Sequence, residues 1–197
     1  MLKYIQINPK EISTMKKIFL PLLLASGLFA SECTYSVNNL DVEFKAYKTP
    51  LKIGVGGTFD TIKLHAQPQA TQKELLQHAS LQIDTSSVNS KNSARDAKLV
   101  KFFFEKQNVQ TIDAKVIDVE DKIITVAITM NDITKKIPMR VEFDDDEIEA
   151  EGVIDLADFK MLPSLQSINK ACYKLHKGKT WQDVRLEFEM KTSRHCH

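Results

Sequence analysis

Apolar and polar residues alternate along most of this chain, and the alternation limits the folds open to it. In LDVEFKAYK, residues 40–48, Val42 and Phe44 fall on one face of an extended strand, while Asp41 and Glu43 fall on the other. A period of two residues is typical of half-buried β-strands. The same pattern recurs in seven further segments, at residues 52–64, 79–88, 111–119, 122–131, 136–146, 147–159 and 181–191. The sequence therefore predicts eight strands, each with one wet face and one apolar face.

Short turns between neighbouring strands, such as residues 119–122 and 144–147, favour antiparallel pairing. A twisted sheet of about eight such strands can close on itself, which removes the edges that would otherwise invite aggregation. We therefore expect an all-β barrel or sandwich with short helices. Gly54 and Gly57 lie inside one strand pattern, where glycine usually permits a bulge or a sharp bend at a barrel corner.

Two stretches break the alternation and predict short helices. In the first, NSARDAKLVKFFF, Asn92 or Ser93 is expected to cap a helix. In the second, residues 158–175, Leu165, Ile168 and Cys172 recur at helical spacing. Neither helix is long enough to be stable alone in water, so both are expected to dock on the sheet.

The amino-terminal 30 residues predict export. MKKIFLPLLLASGLFA, residues 15–30, has the charged start, apolar centre and small-residue end of a secretory signal. Its apolar stretch of about 12 residues is too short to span a bilayer, so no integral membrane anchor is expected. Residues 1–14 are interpreted as an upstream extension from a misplaced start codon, residues 31–191 as one domain and residues 192–197 as a flexible tail. The mature protein is expected to be periplasmic or secreted.

Three cysteines allow one disulfide and one odd thiol in an oxidising compartment. Cys33 and Cys172 both adjoin apparently ordered structure, and their pairing is the favoured prediction. A bridge between Cys33 and Cys196 is the rival.

Composition and motifs exclude several functions. The formal net charge of +1 offers no basic footprint for nucleic acid or an anionic membrane. No nucleophile and base fall in a recognised catalytic motif, and no histidines or cysteines have metal-ligand spacing. We therefore expect no enzyme activity, no metal and no cofactor.

Several segments, taken together, resemble the YceI-like family of exported, lipocalin-like lipid-binding proteins. They are RDAKLVKFFF, GGTF, MNDITKKIPMRVEF, EGVIDLADF and DVRLEFEM, and the likeness extends from residue 34 to residue 191. The resemblance implies an eight-stranded antiparallel lipocalin-like β-barrel. Its apolar tunnel would hold a long-chain lipid, such as an isoprenoid, a quinone precursor, a fatty acid or an amide.

The resemblance also implies roles for the motif residues. Arg95 and Asp96 would fix a short helix at the barrel mouth, and Gly57 and Phe59 would form a second structural motif. Of the three adjacent phenylalanines, Phe103 is expected to touch ligand or tunnel wall, while Phe102 or Phe104 packs structurally. The alternative is that all three only anchor the helix. With strand faces taken from the alternation, the expected ligand contacts are Val42, Phe44, Leu81, Ile83, Leu99, Phe103, Val126, Ile128, Met139, Val141, Leu186 and Phe188.

Three functions remain open at this point. The first is an exported carrier that transports, stores or sequesters a long-chain apolar ligand. The second is a filled-core barrel that acts through its surface as an interaction or stress-response module. The third, an enzyme acting on a lipid, would need Arg95, Asp96 or His176 beside the tunnel. A second copy of the chain is a further candidate partner.

Overall fold

The alternating segments form one antiparallel sheet. The computed structural model describes residues 32–196, so the predicted extension at 1–14 and signal peptide at 15–30 lie outside the described residues. Ten strands occur within the described part: β1 Cys33–Lys48, β2 Ile53–Phe59, β3 Ile62–His65, β4 Ser80–Asp84, β5 Val88–Asn89, β6 Thr111–Val119, β7 Ile123–Met130, β8 Ile133–Phe143, β9 Glu147–Asp155 and β10 Thr180–Cys196. They pair in the order β3-β4-β6-β7-β8-β9-β10-β1-β2-β5.

Eight predicted segments give ten strands because two of the segments bend in the middle. The segment 52–64 forms β2 and β3, which are separated by Asp60 and Thr61. The segment 79–88 forms β4 and β5, which are separated by a 3₁₀ turn at Thr85–Ser87. Small polar side chains at such points offer the backbone local hydrogen bonds that compete with the sheet ladder.

The two bends lie together and form one corner of the sheet. The backbone N–H of Asp60 donates to the carbonyl of Ser87 at 3.0 Å, and that of Asp84 donates to Thr61 at 3.1 Å. The Asp84 carboxylate also accepts from the backbone N–H of Ser86 at 2.9 Å. Since β3 and β5 are the two ends of the strand order, both ends meet at this corner. The sheet thereby curls into a half-barrel of ten strands, which agrees with the predicted all-β lipocalin-like fold class.

The apolar face predicted by the alternation is the inner face of the half-barrel. On β7, Ile124, Val126, Ile128 and Met130 are each less than 5% exposed, while Ile123 on the opposite face is 41% exposed. This difference between the two faces is what antiparallel sheets with one solvated side require.

Four helices lie in the described part of the chain: α1 Gln72–Gln77, α2 Ser93–Leu99, α3 Leu162–Ala171 and α4 Tyr173–His176. The Asn92 side chain caps α2 by accepting from the backbone N–H of Arg95 at 3.0 Å, which confirms one of the two predicted caps. α2 continues into a π turn at Val100–Phe104 and a 3₁₀ turn at Glu105–Gln107. Pro163 occupies the first turn of α3, where its fixed φ suits the start of a helix. α1 was not predicted from the sequence.

The favoured disulfide was wrong, and the rival is present. Cys33 bonds to Cys196, its direct partner across the β1–β10 ladder. Cys172 is a buried free thiol at the end of α3. Residues 192–196 also differ from the expected flexible tail, because they continue β10 opposite β1. The ladder, rather than proximity to other ordered segments, brings the two cysteines together.

We expect the oxidised protein, once denatured, to expose a single thiol, at Cys172. Alkylation without reduction followed by peptide mass spectrometry checks this, and the variant Cys172→Ala should take up no label. The double variant Cys33→Ser/Cys196→Ser should lower the free energy of unfolding by about 2–5 kcal/mol, because it releases a long loop in the unfolded chain. Labelling at Cys33 or Cys196 in the oxidised protein contradicts the assignment.

Candidate functional site: an apolar cavity with a basic mouth

An apolar cavity of about 440 Å³ lies between the half-barrel and the helices. Small-molecule sites typically enclose roughly 300–1,000 Å³. Its walls come from strands β1, β2, β4, β6, β7, β9 and β10, and it is covered by α2, the π turn, α3 and α4. Asn92, Ala94 and Leu175 line the cavity and are also exposed. The cavity therefore opens to solvent between the start of α2 and α4.

Most of the expected ligand contacts line this cavity. They are Val42, Phe44, Ile83, Leu99, Phe103, Ile128, Leu186 and Phe188. Leu81 and Val126 instead line a separate cavity of about 50 Å³ near the other end of the half-barrel. Met139 and Val141 line neither cavity and are only 1% and 2% exposed, in the solid core.

Position along the barrel axis explains why these four expected ligand contacts do not line the larger cavity. Alternation assigns a residue to the inner face of a strand, but it does not report how far along the barrel the residue lies. The half-barrel is filled by side chains around Met139 and Val141, and its larger cavity lies beneath α2–α4. At the solid end, a side chain on Gly152 would have its Cβ 2.8 Å from Cγ of Met139.

Arg95 and Asp96 both bind Ser90, a residue only 6% exposed. Nε of Arg95 donates to the Ser90 hydroxyl at 2.7 Å, and one guanidinium Nη donates to the Ser90 carbonyl at 2.7 Å. The Asp96 carboxylate accepts from the backbone N–H of Ser90 at 2.9 Å and from the Ser90 hydroxyl. The two residues thus hold the backbone that leads into α2, and the helix is fixed over the cavity.

The π turn directs two adjacent phenylalanines into the cavity. Phe103 and Phe104 both line it, with ring centroids 5.0 Å apart and nearly perpendicular. Phe104 also contacts Phe59 at 6.3 Å, and Phe59 contacts Phe44 at 5.5 Å. Such tilted and edge-to-face pairs stabilise beyond the area they bury. The expectation for Phe103 is therefore met, and Phe104 serves both packing and lining.

Phe102 lies outside the cavity lining, with the Lys101 ammonium 5.6 Å from its ring centroid. Because two of the three phenylalanines line the cavity, the alternative in which all three only anchor the helix does not describe this structure.

Gly57 makes room for an aromatic ring. A Cβ at this position would lie 2.7 Å from Cζ of Phe44. The expected bulge is absent from this stretch, because β1 and β2 pair without interruption from Phe44 opposite Gly57 to Lys48 opposite Ile53. The bend comes three residues later, at Asp60.

Basic groups surround the mouth, and two of them, Lys48 and Lys98, were not predicted as site residues from the sequence. Lys48, Arg95, Lys98 and His176 line the cavity, whereas no aspartate or glutamate does so among residues 32–196. Nδ1 of His176 lies 2.8 Å from the Thr180 hydroxyl. Burial lowers the pKa of His176 below its ordinary 6.5, and the charges of Lys48 and Lys98 lower it further. The alternation did indicate that Lys48 would face the barrel interior, because this residue follows Val42, Phe44 and Ala46 on the inward face of β1.

Comparison with known proteins identifies the family. The sequence model for the YceI-like domain matches residues 35–192, which is most of the chain. The chain belongs to the YceI-like family. This confirms the resemblance drawn from the motifs, and the match spans the half-barrel with all of its helices.

Two solved structures share the YceI-like fold of this chain. One is a polyisoprenoid binding domain from Saccharophagus degradans implicated in plant cell wall breakdown, with 15% identity, a TM-score of 0.54, and coverage of 83% of this chain and 98% of that chain. The other is Burkholderia cenocepacia BcnA, with 13% identity, a TM-score of 0.56, and coverage of 80% and 99% respectively. Identities this low establish a shared fold alone. No curated protein is a significant sequence match.

Two further features of the described residues bear on this YceI-like site. Within 32–196, no three histidine, cysteine, aspartate or glutamate side chains are grouped so that they could hold a metal ion. None of the helices in this range has the length and apolarity needed to cross a membrane.

The lowered pKa of His176 predicts a pH dependence of stability. As the pH falls through about 6.5, the unfolded chain takes up a proton at this residue before the folded protein does. The free energy of unfolding must then fall with the pH. We expect a steeper decline from about pH 7.5 to pH 5.5 in the wild type than in His176→Gln, since glutamine keeps a partner for Thr180 but does not titrate. Urea unfolding at each pH measures the two slopes, and parallel curves contradict the prediction.

Proposed function

We propose that this YceI-like protein is an exported carrier that holds one long-chain apolar ligand in the cavity. The ligand would be an isoprenoid, a quinone precursor, a fatty acid or an amide, held for transport, storage or sequestration. The supporting observation is an open apolar space of about 440 Å³ that reaches solvent between α2 and α4. Empty apolar surface of this extent would be stabilised by a hydrocarbon chain that displaces water from it.

Burial of hydrocarbon supplies enough free energy for this function. Each methylene removed from water contributes about 0.8 kcal/mol. Twelve of them contribute roughly 10 kcal/mol before losses of chain and rotational entropy, and a remainder of about 8 kcal/mol corresponds to submicromolar affinity. Aliphatic and aromatic walls discriminate weakly between chains of equal length.

The relatives and the packing both favour a carrier over a filled-core barrel. The Saccharophagus degradans structure is described as a polyisoprenoid binding domain, and a similar class of ligand suits the cavity here. A filled-core barrel would need side chains throughout its interior, whereas only the end around Met139 and Val141 is solid. A surface interaction or stress-response role has no comparable feature in its favour.

Binding without catalysis is also part of the proposal. The guanidinium of Arg95 and the carboxylate of Asp96 are both engaged with Ser90, where they position α2. Nδ1 of His176 lies 2.8 Å from the Thr180 hydroxyl, and burial together with nearby lysines lowers the pKa of this imidazole. Arg95, Asp96 and His176, the three residues on which a lipid-modifying activity would depend, are thus all engaged in structural contacts.

The proposal includes export. Residues 15–30 would act as the signal peptide, and the mature chain would start near Ser31, in the periplasm or outside the cell. Native mass spectrometry of protein expressed with its full sequence measures the mature mass. It also reports whether two copies associate, as a homodimer would require.

We expect protein purified without delipidation to carry one lipid per chain, visible as a mass increment in native spectra and recoverable by organic extraction. The variant Ala46→Phe places a ring in the cavity, where Ala46 is part of the wall. If the ring displaces about four methylenes of the ligand, affinity falls by roughly a hundredfold.

Ala127→Phe is the matched control. Ala127 lies on β7 between Val126 and Ile128, on the face away from the cavity. This variant should keep the wild-type cargo, and circular dichroism should show that both variants are folded. Wild-type protein that neither carries nor takes up any long-chain compound contradicts the proposed function.

A further inference from the structure

Two lysines converge at the cavity mouth from separate parts of the chain. Lys48 is the last residue of β1, where pairing with β10 is interrupted between Ala46 and Lys48, and Ala46, Tyr47 and Lys48 all line the cavity. Lys98 lies in the last turn of α2. Both lysines lower the pKa of His176, so both ammonium groups lie near the same imidazole.

Neither of these lysines has an acidic partner among residues 32–196, where the ion pairs involve other side chains. Lys52 pairs with Asp183 at 2.7 Å, and Lys135 pairs with Asp158 at 3.7 Å. Lys48 and Lys98 are both half-buried, and Arg95 lines the same cavity. Like charges held close together at a partly buried site repel one another and favour a bound anion.

The apolar part of the cavity begins directly behind these charges. Leu99 follows Lys98 and lines the wall, as does Ala46 ahead of Lys48. A molecule that satisfied both regions would have a hydrocarbon chain for the interior and one anionic group for the mouth. Charge-assisted hydrogen bonds to ammonium groups are stronger than neutral ones.

We propose that the ligand is an anionic amphiphile, whose carboxylate or phosphate head is held by Lys48 and Lys98 while its chain fills the cavity. This inference rests on the proposed carrier function and narrows its ligand class. Neutral amides and alcohols of equal chain length would fill the same cavity and leave the two lysines without a counterion. The mouth thereby supplies the head-group selectivity that the apolar walls lack.

The test compares delipidated protein with three probes that share a saturated chain of about sixteen carbons: the fatty acid, the alkyl phosphate and the primary amide. At about pH 7.5 both acids are ionised. We expect at least one of them to bind about ten- to a hundredfold more tightly than the amide in calorimetric titrations, and the preferred acid distinguishes the two head groups. The preference should weaken in high salt, because the mouth opens to solvent.

The double variant Lys48→Met/Lys98→Met keeps side chains of similar length without charge. It should lose the preference, so that the two acids bind no more tightly than the amide does. Lys136→Met, on the outer face of β8, is the matched control and should keep the preference.

The outcomes separate this inference from the carrier function on which it rests. Equal binding of acids and amide, or a preference that survives the double variant, overturns the anionic head group and leaves the carrier intact. Failure of all three probes to bind overturns both.

Discussion

The antiparallel ladder between β1 and β10 is the interaction on which the rest of the structure depends. The ladder runs from Cys33 opposite Cys196 to Lys48 opposite Thr180, and a disulfide closes its first end. Its other end supplies much of the cavity wall, including Phe44 from β1 and Leu186 from β10. A covalent clamp at one end therefore stabilises strands whose far ends enclose empty space, where packing contributes less.

A half-barrel that is solid at one end and hollow at the other separates stability from binding. Buried apolar side chains, among them Met139 and Val141, fill the solid end. At the hollow end, the helices α2, α3 and α4 cover the cavity. The binding end can thus vary in lining and mouth residues without disturbing the core that keeps the sheet folded.

The position of the cover depends on a few polar contacts around Ser90. Arg95 and Asp96 converge on this buried residue from α2, and buried polar groups satisfied in this way specify one geometry. The π turn that follows directs Phe103 and Phe104 into the cavity. Because Lys98 lies between the Ser90 contacts and the π turn, the same short segment sets both the apolar roof and one of the charges at the mouth.

The sequence by itself determined the strand segments and their inner faces, and it narrowed the cap of α2 to Asn92 or Ser93, because a two-residue period and a capping side chain are local signals. It also located the Arg95–Asp96 pair, which fixes α2 over the cavity, and the aromatic triplet from which Phe103 and Phe104 line it. Only the tertiary structure decided which inner-face residues border open space, since Ile128 and Val126 share a strand face but lie at different depths. It alone brought Cys33 to Cys196 across 163 residues, and Lys48 to the same mouth as Lys98. These pairs meet because the sheet curls, and the curl depends on contacts that are distant in sequence.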